Sequence, residues 1–326
     1  MDTHPSATAP AGAMLFKSGT RGENIGSWDA LMEHLNTWEP FWLELDWQDS
    51  LAEAWLQQAL ELPDSTCQAI FSENTRPRSF TDAHGNLVLI LRVINAQADT
   101  DDQRLVSLRL LIDRQRIFSL CHYESEALCQ IRTRISSSEQ RLEPAQLLTS
   151  LLRWIQEAIN EEIYALSEKV SGIELQLDKG KPPVDDISAV RMQASELQRY
   201  LVPQRAALTQ LRQQKDIISG TELQSDWREL ANELQLSLDE VEMVISRLLI
   251  IQDEVRSNLN ERTTRTLYLL SLVTFLFLPL SFLTGFLGMN ISFPWESSPQ
   301  AFWLLLMLIT GILIGQGVLI KRLGWL

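Results

Sequence analysis

Cysteine is scarce: Cys67, Cys121 and Cys129 are the three in 326 residues, and no two form a CxxC pair. An odd set without paired spacing builds no disulfide framework and suits a reducing compartment. No GxxxxGK[ST] stretch is present, so direct drive by ATP has no support. No catalytic constellation stands out either, and the chain reads as no enzyme and needs no cofactor. The start, "MDTHPSATAPAGAMLF", lacks a basic segment followed by an apolar run, so residues 1–13 read as a mobile tail rather than a signal peptide. Positive charge is also short, with 28 Lys and Arg against 42 Asp and Glu. Residues 261–326 hold four basic groups against Glu261 and Glu296, which leaves 24 basic and 40 acidic groups, a net charge of -16, on the rest. Such a surface repels nucleic acid and draws in cations, so nucleic acid is excluded as a partner.

Two long apolar runs are what the chain does have. Leu267 to Leu287 gives 21 residues without a charge and Ala301 to Ile320 another 20, each enough to cross a hydrocarbon core of about 30 Å. The lipid bilayer is therefore an expected partner. Arg262 and Arg265 precede the first run, Lys321 and Arg322 follow the second, and the turn between them has no Lys or Arg. By the positive-inside rule both termini are cytoplasmic and the turn faces outward. Tyr268, Trp295, Trp303 and Trp325 fall near the ends of the runs, where amphipathic rings suit the headgroup zone.

Upstream, residues 14–143 show short mixed patterns. "FWLELDW" (Phe41 to Trp47) alternates like a half-buried strand, and "SLAEAWLQQALEL" after Asp49 reads as a capped helix. Asn86–Asn95, Leu105–Asp113 and Gln115–Tyr123 read as three strands, which predicts an α+β domain with a mainly antiparallel sheet. Residues 144–266 turn to long helices. One spans about Ala145 to Leu177 and stops at "DKGKPP"; a second spans about Asp185 to Lys215, where Pro203 should kink or break it. A third starts near Asp226 and, continued to Leu287, would reach roughly 90 Å. So long a helix cannot hide its apolar stripe alone, and copies of itself are the natural partners. The remaining divisions are a first span over 267–288, an outer loop over 289–300, a second span over 301–320 and a cytoplasmic end over 321–326.

Within the first span the small and hydroxylated residues fall on one side. At about 100° per residue, Ser271, Thr274, Ser281 and Gly285 lie within an arc of about 80°, with Thr284 further round. The full course is Thr264, Leu267, Ser271, Thr274, Leu278, Ser281 and Gly285, a near-heptad step that suits the inner face of a bundle around a watery axis. Packing of small residues accounts for any one of these, but not for a seam that leads to an Asn. Gly288 is placed to end the helix, most easily in the left-handed region, and the last carbonyls would gather negative charge at the outer opening. Asn290 adds an amide oxygen per subunit, able to hold a divalent cation through its water shell. Glu296 is a second candidate, and an acidic one. Neither span nor turn contains Cys or His, so a tetrahedral zinc site is not expected there.

"FLPLSFLTGFLGMN" (Phe277 to Asn290), followed by a short loop, a second span and "KRLGWL", resembles the CorA superfamily of divalent metal ion transporters. "SENTRPRSF", "LILRVIN" and "LQRYLVPQR" resemble its ZntB branch of zinc transporters. The resemblance implies a homopentamer in a bacterial inner membrane, with a cytoplasmic α/β/α funnel, five first spans lining the pore along the seam, five second spans outside, and Gly288, Met289 and Asn290 at its mouth. It implies Zn2+ as the transported ion. Met289 departs from the GVN or GIN frequent in the ZntB branch, and "ISFPWESSP" differs from the MPE-containing loop of magnesium channels, so a CorA-type magnesium or cobalt channel is the alternative. A membrane-anchored coiled-coil scaffold or sensor is the alternative of another class.

Weaker signals read blandly. Cys121 and His122 in "CHYESEALC" would point to opposite faces of a strand, and His4, His34 and His84 stand apart. The acidic surplus from Asp226 to Glu261 reads as a solvated face, with cation concentration or gating between subunits as the alternative.

Overall fold

The computed structural model describes residues 13–17, 22–25, 27–37, 39–95, 104–113, 116–123, 125–137, 143–180, 184–211, 221–289 and 299–322. The expected tail over 1–13 lies outside them apart from Ala13. The chain divides into two units, residues 1–252 and 253–326.

A seven-stranded sheet centres the first unit: β1 (Met14–Phe16), β2 (Glu23–Asn24), β3 (Phe41–Leu45), β4 (Arg78–Thr81), β5 (Leu87–Ile94), β6 (Leu105–Ile112) and β7 (Arg116–Leu120). Their order is β2-β1-β3-β7-β6-β5-β4. The β3–β7 pair is parallel and the others are antiparallel, as the sequence predicts. At the facing ends of β6 and β7, Asp113 accepts from the Arg116 backbone N–H at 2.7 Å and pairs with its guanidinium.

One face packs on α1 (Trp28–Leu35), α2 (Ser50–Leu60) and α3 (Asp64–Phe71). Leu43, Ile90, Leu111 and Phe118 meet Leu31, Trp55, Leu56 and Ile70 there in one buried cluster. Ser27 and Asp49 cap α1 and α2 by accepting from Ala30 and Leu51 backbone N–H groups. The other face is covered by α4 (Glu126–Ser137), α5 (Pro144–Asp178) and α6 (Val184–Leu211). Covering both faces buries all five residues of β3, where alternation predicts burial on one side. The buried Glu44 is matched there by Arg132 of α4, at 2.8–3.1 Å.

Helix α5 ends where Gly180 takes a φ of 73°, a left-handed turn that glycine adopts without strain. Helix α6 passes Pro203 unbroken to Leu211, so of the kink or break expected there the break does not occur. Leu201, Gln204, Ala207 and Leu208 are buried around the proline, so tertiary packing outweighs its local cost.

Helix α7 (Thr221–Leu287) is a single element of 67 residues, beginning five residues before the predicted start and passing through Pro279. Helix α8 (Pro299–Arg322) is the second apolar helix. Both contain segments long and apolar enough to cross a membrane. Their large apolar side chains, such as Phe277, Phe282, Phe302, Trp303 and Met307, stand exposed. In water that would be costly; in hydrocarbon it is the expected surface.

Candidate metal-ion pathway

In α7 an exposed seam and a half-buried stripe lie on different sides. Thr264, Leu267, Ser271, Thr274, Leu278, Ser281 and Gly285 are all exposed. Leu272, Phe275, Leu276, Pro279, Leu280, Leu283 and Leu287 are half-buried, and at about 100° per residue they centre roughly 150° round from the seam. On α8 the covered positions are Leu305, Ile309, Ile312, Gln316 and Ile320, again one stripe. Gln316 joins the two stripes, its Nε2 donating to the Phe275 carbonyl at 2.8 Å. The polar seam is thus turned away from the second span.

The hydroxyl protons on this helix are partly committed. Thr274 Oγ1 donates to the Leu270 carbonyl at 2.8 Å, and Thr284 Oγ1 to that of Leu280 at 3.0 Å. A hydroxyl whose proton is held by its own helix turns lone pairs outward. Thr274 therefore presents an acceptor on the seam, the polarity that the water shell of a cation seeks.

The helix stops at Leu287 as predicted, but Gly288 does so without the left-handed conformation expected of it. Among the described glycines the positive φ values belong to Gly85 and Gly180. Gly288 donates its backbone N–H to Thr284 at 2.9 Å, and a Cβ added there would lie 3.1 Å from the same oxygen. Close backbone approach is the reason for glycine at this position. Met289 is exposed after it. Asn290 and Glu296, the two ligand candidates of the loop, lie outside the described residues.

Among the described residues no group of three or more His, Cys, Asp or Glu side chains is placed to hold a metal ion. Cys121 follows β7 rather than lying in it, so strand alternation is not what separates it from His122. The Cys121 thiol donates to the Tyr123 carbonyl at 2.9 Å, and His122 Nδ1 pairs with Asp46 at 2.8 Å. Burial pushes the Cys121 thiol up to about 11, against thiolate ligation. Several acidic stalk residues also have partners: Asp226 pairs with Arg153, Glu242 accepts from Gln198, and Asp239 accepts from Gln235.

Two residues escape a reading of the sequence. Arg109 in β6 is fully buried, which a lone Arg in "LVSLRLLID" does not announce. Gln316 is the other, although a lone amide in one span opposite a proline in the other is a legible signal.

A family model described as "CorA-like Mg2+ transporter protein" matches residues 39–322. The chain belongs to this CorA family. Over 309 residues it is 28% identical to the divalent cation transporter CmaX of Pseudomonas aeruginosa, covering 94% of this chain and 93% of that one. Over 294 residues it is 28% identical to the zinc transport protein ZntB of Pectobacterium atrosepticum, covering 90% of each. The solved structure of full-length CmaX superposes with a TM-score of 0.79 at 26% identity, covering 96% of this chain and 97% of its own. The CorA-family chain is a divalent-cation transporter and no enzyme, which sets aside the scaffold alternative.

Proposed function

We propose that this protein moves zinc across a bacterial inner membrane through a pore built from five copies of α7, with both termini cytoplasmic. Five seams of Thr264, Leu267, Ser271, Thr274, Leu278, Ser281 and Gly285 would line the axis. Gly288, Met289 and Asn290 would form the outer mouth, and five Asn290 side chains would receive the hydrated ion, with Glu296 adding negative charge nearby. The observation that carries this is the exposure of the whole seam on the side of α7 away from Gln316 and α8. A symmetric ring of copies would bring those arcs together while leaving the second spans outside. The basic pairs Arg262/Arg265 and Lys321/Arg322 support the orientation, and the acidic balance of the soluble part favours accumulation of cations at the inner opening. Zinc is favoured by the ZntB relatives at 28% identity.

Met289 favours a second reading in which magnesium or cobalt is carried, because the Gly-Met-Asn tripeptide is the form the magnesium branch keeps. Flux of zinc and of magnesium into liposomes holding the purified full chain, with and without a pH gradient, separates the two. Zinc influx above magnesium influx is expected, with Asn290→Ala lowering it roughly tenfold, as expected for loss of a charge-orienting oxygen ring worth about 1.4 kcal/mol at the barrier. Undiminished flux in Asn290→Ala removes the role of the mouth. If no divalent ion moves, the pore itself is wrong.

A further inference from the structure

Proline at position 279 creates a specific vacancy in the hydrogen-bond ladder of α7. It has no N–H to give the carbonyl four residues earlier, which is that of Phe275. In a lipid-exposed helix water does not fill that gap, and the free carbonyl is costly until another donor arrives. The donor present is Gln316 of α8, whose Nε2 lies 2.8 Å from the Phe275 oxygen. Gln316 is only 7% exposed, whereas nearby Ile314 and Val318 are more than half exposed. Its Oε1 has no partner among the described residues, so the amide is spent on this one donation.

We infer that Gln316 is a positioning residue of the transport pathway: it supplies the hydrogen bond that Pro279 withholds and fixes the pore-lining helix against the second span at that level. The location matters because Phe275 and Pro279 lie between Thr274 and Ser281 of the exposed seam. A proline gap leaves the two halves of the span free to bend relative to each other, and the Gln316 donation spans the gap from outside. The seam residues on either side then keep one azimuth. The role in transport rests on the pore reading above; the hydrogen-bond complementarity between positions 279 and 316 does not.

The test is a double-mutant cycle in the full-length protein. Gln316→Met keeps the shape and removes the donor. Pro279→Ala restores a backbone N–H to Phe275 and makes the donor dispensable. Thermal unfolding of the detergent-purified protein and divalent-cation flux in liposomes are both measured. Gln316→Met alone should lower the midpoint by roughly 3 °C or more and reduce flux roughly three- to tenfold. In the Pro279→Ala background the same change should shift the midpoint by less than about 1 °C and leave flux within about twofold of Pro279→Ala alone. If Gln316→Met does not assemble, assembly of the double variant supports the inference and its failure overturns it. Equal effects of Gln316→Met in both backgrounds also overturn it. Should the wild-type chain move no cation, the pore reading falls while the unfolding cycle still decides whether position 316 serves position 279.

Discussion

A half-buried and a fully buried arginine, Arg132 and Arg109, show how differently the same side chain can be used. Arg132 forks onto Glu44, while Arg109 has no carboxylate and gives one bond, Nη2 to the Ser72 carbonyl at 2.8 Å, with its Nε and Nη1 unpartnered among the described residues. Its guanidinium carbon lies 3.8 Å from the centre of the Trp47 ring, and burial, followed by the nearby charge of Arg92, brings its pKa down to about 10. A buried cation with this little compensation contributes little net stability. Arg109→Met should therefore leave stability unchanged or raise it by ~1–3 kcal/mol, whereas Arg132→Met, which takes the cation from a buried carboxylate, should cost ~1–3 kcal/mol, both read by denaturant unfolding of the full chain. Cys67 and Cys121 give a pH signature. Burial raises both thiols from 9.0 to about 11, so between those values the unfolded chain has lost protons that the folded chain keeps. Stability from the two thiols is full below pH 9 and declines up to about pH 11, by up to ~1.4 kcal/mol per thiol per pH unit. Unfolding midpoints from pH 8.5 to 10.5 should fall less steeply in the Cys67→Ala/Cys121→Ala variant than in the wild type.

Among the elements, polar side chains set the register of the long helices. Trp227 Nε1 of α7 donates to Thr149 Oγ1 of α5 at 2.7 Å, Gln156 Nε2 donates to Ser237 Oγ at 2.7 Å, and Arg247 pairs with Glu174 at 2.7 Å. These pairs advance together in number, so α5 and α7 run parallel; α6 runs against them, with Arg191 meeting Gln252 and Gln198 meeting Glu242. Thr149→Val keeps the volume but leaves a buried indole N–H without its acceptor. A loss of ~1–3 kcal/mol is expected, against little change in Ser150→Val, where the half-buried neighbour's hydroxyl only bonds its own helix on the exposed side, by the same unfolding assay. These pins were not legible in the sequence, because a Thr or Ser on a helix has no mark that distinguishes a buried partner from a solvated one. Strands β5, β6 and β7, the cap at Asp49, the stop at Gly180 and the end of α7 at Leu287 were legible, since each rests on local chemistry. The half-buried alternation expected of β3 is absent, and of the kink or break expected at Pro203 the break is absent, for a common reason. Both are local preferences overridden by layers that cover them from elsewhere in the chain. The hydroxyl seam was legible as a helical arc, whereas its orientation away from α8 required the position of Gln316.

At the scale of the molecule, the exposed apolar surface of α7 outside its membrane-spanning part needs an occupant. Leu236, Met243 and Ile250 are 63%, 61% and 67% exposed and stand seven residues apart. Continuing in sevens along the same helix gives Ser257, Thr264, Ser271, Leu278 and Gly285, the last four of which belong to the seam. A strict seven-residue step drifts about 20° per repeat on a straight helix, so a shared line of contact requires several helices to wind around one another with a left-handed twist. Lipid cannot cover Met243, which lies some twenty residues before the apolar run, and a monomer would leave three large side chains in water. Copies of the same helix would cover them. Met243→Glu combined with Ile250→Glu places like charges where those lines would converge, each worth roughly 1 kcal/mol or more of repulsion per contact at short range. The detergent-solubilised double variant should shift from an oligomer to smaller species in light scattering and lose cation flux. Because both residues are exposed in the protomer, far-UV circular dichroism should remain that of the wild type. An unchanged oligomer carrying both glutamates in every copy would mean that this line faces outward, and that the proposed seam faces lipid rather than ions.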